Sequence, residues 1–194
     1  MTSGRKAAQR FADTAADLDT FVASIDASGL SKLERSWAYE AALIKLTVAF
    51  ERLMLEALVA ATNNDTGQMS VTLGIRFPKH LTKEVCEYIV TGGRYFDFRG
   101  RDGLLRDIKR LVGPKHYLYT SVQQPKYKVA LEQLIALRNF AAHESPSSRQ
   151  SALKALGRNN LASAGSYLKV KGRFIALSKQ IQSLASDLQT AAPY

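Results

Sequence analysis

The stretch LEQLIALRNFAAHES, residues 131–145, decides how the chain is read. Leu131, Leu134 and Ile135, followed by Ala141 and Ala142, recur at helical spacing. They predict an amphipathic helix over 126–143, stopped by Ser145, Pro146 and Ser147. Arg138 stands on the apolar stripe of that helix, and His143 stands at its end. Each has two readings. Arg138 is either an amphipathic side chain with its head in water or a member of a site. His143 either complements the negative end of the helix dipole or carries protons near neutral pH. Asn139, directly after the arginine, is either solvated or part of the same group.

Outward from this helix the same periodicity recurs. Phe11, Ala15, Leu18, Val22 and Ile25 share one helical face within 5–28, and Gly29 ends that helix. Ser31 and Glu34 form a capping-box pattern ahead of a long helix over 31–61. Trp37, Ala41, Ile44, Val48 and Leu55 read as its inner face, and its broad apolar content predicts a central position. Residues 62–70 read as a loop, and 71–77 as a short extended segment. Short helices are expected over 82–91, 104–112 and 148–157. A loop is expected up to Pro125 and a connector over 158–172. Phe174, Leu177, Ile181, Leu184 and Leu188 predict a last helix over 173–190. The expectation is an all-α bundle forming one domain across 1–194.

The net charge of +10 is unevenly distributed. Residues 94–128 and 145–194 each carry a net +6, on either side of the quoted helix. Such blocks suit a polyanion, commonly nucleic acid. The candidate RNA-binding cations are Arg94, Arg99, Arg101, Arg106, Lys109, Arg110, Lys115, Lys126 and Lys128. Tyr95, Phe96, Phe98, Tyr117, Tyr119 and Tyr127 interleave with them. These rings either stack on unpaired bases or pack in the core, and core packing is the reading for Phe96 and Phe98. The C-terminal cations Lys154, Arg158, Lys169, Lys171 and Arg173 either extend an RNA groove or meet an acidic protein partner.

Several chemistries have no signature here. There is no GxxxxGK phosphate loop, no GxGxxG turn and no GxSxG elbow. His80, His116 and His143 are widely separated, and neither metal nor cofactor is expected. The one cysteine, Cys86, has apolar neighbours and no mark of a nucleophile. It permits no internal disulfide, which together with the charged N-terminus leads us to expect a cytoplasmic protein without a membrane span. Arginine and histidine together do suit one metal-free reaction, RNA cleavage by its own 2′-hydroxyl. Histidine moves the protons while arginine stabilises the charged phosphorane. Five residues on an ideal helix turn through about 140°, so a site shared between two copies is easier to build than one within a single copy.

RNFAAH, Arg138 to His143, resembles the signature of the HEPN superfamily: an arginine, a polar residue, three more, then a histidine. The segments at 37–58, 92–113 and 167–181 are similar to those of its RiboL-PSP branch. The resemblance implies a helical bundle that dimerises through the signature helices and a metal-independent endoribonuclease. Arg138 and His143 would be catalytic, with Asn139 orienting the site. It also implies a toxin–antitoxin or anti-phage defence setting, with a possible antitoxin or defence-complex partner. Some members of the superfamily are instead non-catalytic RNA-binding or scaffold modules.

Overall fold

The computed structural model describes residues 3–193, and ten helices run through them without a strand. Four are long: α1 (Gly4–Ala27), α2 (Lys32–Asn64), α7 (Pro125–His143) and α10 (Arg173–Ala191). Between α2 and α7 lie α3 (Gly67–Leu73), α4 (Lys83–Thr91), α5 (Gly100–Val112) and α6 (Tyr117–Val122). The short helices α8 (Pro146–Leu156) and α9 (Ala164–Leu168) join α7 to α10. None of the described helices is long and apolar enough to cross a membrane.

Local signals set most boundaries. Ser31 accepts from the Glu34 amide at 3.3 Å while the Glu34 carboxylate accepts from the Ser31 amide at 2.8 Å, completing the capping box that starts α2. Pro125 and Pro146 occupy first-turn positions of α7 and α8, where a missing N–H costs nothing. All four long helices contribute to one core. Phe11, Ala15 and Val22 of α1 meet Leu46, Phe50 and Leu53 of α2, and α10 adds Phe174, Ile181 and Leu184. From α7 come Leu131, Leu134 and Leu137.

The inward face of α2 is not the one expected. Trp37 is 58% exposed and Val48 48%, and Ala41 is exposed as well. Tyr39, Leu43, Leu46, Phe50 and Leu53 point inward instead. The helix is apolar around more than half its circumference, so periodicity alone leaves the face undetermined. Polar side chains on the buried flank disguise it further. Thr47 donates to the Leu43 carbonyl at 2.9 Å, and the Glu40 carboxylate accepts the Gly165 amide at 2.8 Å. Both are hydrogen-bonded, as buried polar groups must be.

Three segments read as irregular contain helix. The expected loop at 62–70 holds the end of α2 and the start of α3, and α3 extends through 73 into the stretch expected to be extended. Buried Met69 anchors α3, and the Thr72 hydroxyl donates to the Arg110 carbonyl at 2.9 Å. These contacts override the extended preference of Val71 and Thr72. The loop before Pro125 contains α6, capped by His116, whose Nδ1 accepts the Leu118 amide at 3.3 Å. Burial holds the His116 pKa below its ordinary value, consistent with a neutral ring acting as acceptor. The connector at 158–172 contains α9, started by a Ser163–Ser166 capping box.

Helix α9 meets α2 at the closest approach in the molecule's glycine positions. A Cβ built on Gly165 would lie 1.9 Å from the Ser36 carbonyl oxygen, on backbone that has no rotamer to yield. Gly165→Ala is therefore expected to destabilise the fold by about 2–4 kcal/mol, read as a lower urea midpoint. An unchanged midpoint would show that α9 does not sit this tightly on α2.

Candidate functional site

The last turns of α7 carry Arg138, Asn139 and His143, and all three line one open cleft of about 650 Å³. The walls explain how side chains about 140° apart reach one space. Asp97, Phe98 and Arg99 form one side, and Ser147, Ser148 and Ser151 of α8 form the other. The cleft wraps around the end of α7 rather than lying along one of its faces. Arg138 Nη1 donates to Asn139 Oδ1 at 3.0 Å, so the residue after the arginine holds the guanidinium. His143 is exposed.

The turn after His143 sets the second wall. Glu144 has φ +46° and ψ +22°, a left-handed conformation and the one such non-glycine residue among those described. Its amide donates to the Phe140 carbonyl at 3.0 Å, closing α7. The chain then enters α8 through Ser145, whose hydroxyl accepts the Ser148 amide at 3.2 Å. The amino end of α8 thus opens on the cleft, where its dipole favours an anion.

The first wall is an extended segment that alternates. Phe98 is buried, with its ring edge-on to Phe50 at 5.2 Å between centroids, and Phe96 is half-buried against the core. Tyr95, Asp97 and Arg99 point outward. The Phe98 amide donates to Glu51 Oε1 at 3.2 Å, pinning the segment to α2. Sequence reasoning passed over Glu51. Its one signal is a lone carboxylate within the apolar run TVAFERLM, residues 47–54. Burial pushes its pKa up, while the Phe98 amide and Arg138 pull it down and Asp97 raises it further. The Arg138 charge thus reaches Glu51 behind the cleft.

The nine candidate RNA-binding cations do not form one surface. Arg94 and Arg99 stand at or beside the cleft. Arg101 is turned to structural use: its side chain is 14% exposed and donates to the Val122 and Gln123 carbonyls, tying α5 to α6. Lys126 pairs with Asp187 at 2.8 Å, and Lys128 lies 4.0 Å from Glu132. Arg106, Lys109, Arg110 and Lys115 are exposed around α5, outside the cleft lining. Among the aromatics, Tyr127 is a core residue whose hydroxyl donates to Asp187 at 2.7 Å, which excludes it from base stacking. Cys86 is buried, and burial pushes its thiol pKa up.

The raised Glu51 pKa has a signed consequence. The folded state favours the neutral carboxyl, so this contribution to stability is complete below the ordinary carboxylate range and is lost as pH rises through the folded value. Wild type should therefore lose stability relative to Glu51→Gln between pH 4 and pH 7. Urea midpoints of the two proteins at both pH values test this, and a constant difference refutes it. Comparison of the chain with family models, with curated proteins and with solved structures finds no match.

Proposed function

We propose that this protein is a HEPN-type endoribonuclease that cuts RNA by attack of the 2′-hydroxyl, without a metal in the reaction. The observation that carries this reading is the joint presence of Arg138, Asn139 and His143 in one open cleft, with the guanidinium tied to Asn139. A base takes the 2′-hydroxyl proton and that oxygen attacks phosphorus. The 5′-oxygen leaves with a proton, which yields a 2′,3′-cyclic phosphate and a free 5′-hydroxyl. His143 is the proton carrier. Arg138 faces the phosphate and stabilises the charge that builds on it, with Asn139 orienting the guanidinium. Arg99 and the amino end of α8 add positive potential to the same space. The resemblance of the signature helix extends the reading to a toxin or anti-phage effector, with an antitoxin or defence-complex protein as partner.

The same reading takes the working form to be a homodimer through the signature helices, and an uncovered face of α2 would widen that contact. Trp37, Ile44 and Glu51 are seven residues apart along α2, hence two turns apart on one face. Leu33, Trp37, Ala41 and Val48 leave the part of that face ahead of Glu51 apolar and uncovered in a single copy. It leads toward Glu51 and thus toward Arg138. A second copy covering it would bring two clefts together, and two His143 imidazoles would then serve both proton transfers.

Two measurements test these statements. In EDTA, wild type should cleave RNA to products ending in 2′,3′-cyclic phosphate. Arg138→Ala and His143→Ala should each lower the rate by about 100-fold or more. Cleavage at the wild-type rate by both variants, or cleavage that requires added metal, would overturn the assignment. Sedimentation should give a dimer for wild type and a monomer for Trp37→Asp; a wild-type monomer at tens of micromolar would remove the dimer.

A further inference from the structure

A second hollow adjoins the cleft, and its chemistry differs. It is lined in part by Arg94, Tyr95, Phe96, Asp97, Arg99 and Asp107 and has a volume of about 380 Å³. Asp97 and Arg99 line both spaces, so that ridge is the boundary between them. In the first cleft Arg99, Arg138 and His143 face the single carboxylate of Asp97. In the second, Arg94 and Arg99 are balanced by Asp97 and Asp107, and Arg99 lies 4.0 Å from Asp107. The first suits a phosphate. The second, with no net charge, does not.

What the second hollow offers instead is a ring. Tyr95 is 98% exposed, the most exposed large apolar side chain among those described. Its backbone is held on both sides. Gly92 and Gly93, at φ +65° and +73°, make a left-handed turn whose two amides donate to the Tyr88 carbonyl at 2.7 and 3.2 Å. On the far side Phe98 is wedged into the core against Phe50. The ring is therefore presented to solvent by a pinned segment. An exposed aromatic face suits stacking on an unpaired base. Carboxylates accept hydrogen bonds without donating, so Asp97 and Asp107 match the exocyclic amino groups of bases.

The geometry points to a subsite for one unpaired nucleobase bearing an exocyclic amino group, stacked on Tyr95 beside Asp97 and Asp107, in the nucleotide next to the phosphate at Arg138. The inference rests on the reading of the Arg138 cleft as an RNA site and adds to it a base preference, adenine, cytosine or guanine over uracil.

The test separates the two ideas. In a His143→Ala background, fluorescence anisotropy measures binding of labelled eight-nucleotide oligoadenylate, oligocytidylate and oligouridylate. Oligoadenylate and oligocytidylate should bind more tightly than oligouridylate. Adding Tyr95→Ala should weaken the two tighter complexes by about tenfold, and Tyr95→Phe should preserve them because the ring matters rather than the hydroxyl. Tyr95 is a surface residue, so the substitution leaves the core intact. Affinities within twofold between the parent and Tyr95→Ala, or oligouridylate bound as tightly as the others, would overturn the subsite. Tyr95-dependent binding by a wild type that never cleaves would overturn the ribonuclease reading and sustain the subsite. No binding of any oligonucleotide would overturn both.

Discussion

Helix α2 is the constraint to which the remaining elements answer. Over 33 residues it exposes apolar groups on more than half of its circumference, and leaving them in water costs about 25 cal/mol per Å². No single partner can cover so broad a surface. Helices α1, α4, α5, α7, α9 and α10 all pack against it. The arrangement also explains Gly165. A five-residue helix such as α9 has little area of its own to bury, so it adheres by coming close, and closeness requires the absence of a Cβ.

Covering α2 is also what assembles the candidate site. Phe98 fills the space beside Phe50, and in doing so lays residues 97–99 beside the end of α7. The left-handed residue at 144 turns the chain so that α8 returns along α7 and closes the other wall. Arg138 and His143 meet in one cleft because two other parts of the chain, residues 97–99 and 145–151, surround the end of their helix. A position on the helical wheel describes a side chain against its own helix only, which is why wheel spacing alone underestimates what a single copy can bring together.

Much of this was legible in the residues. The long helices, the capping box at Ser31 and the core stripe of α10 follow from periodicity and end chemistry, which are local. The losses have a common cause. The buried face of α2, the helical state of Val71 and Thr72, and the structural use of Arg101 depend on partners far along the chain. Glu51 was overlooked because a carboxylate in an apolar helix gains meaning only from what it meets, here the Phe98 amide and the Arg138 charge. Charge counting by segment located the basic blocks, but it did not separate cations that face solvent from cations that fasten one helix to another.

The alternation at 95–99 divides the duties of one short segment. Phe96 and Phe98 answer to the core, while Tyr95, Asp97 and Arg99 answer to whatever enters the adjoining hollows. Because successive side chains leave on opposite sides, the outward set can change without repacking the interior. Such a segment can vary in what it recognises while the scaffold beneath stays the same. That separation leaves the surface of the ridge free to diverge at little risk to folding.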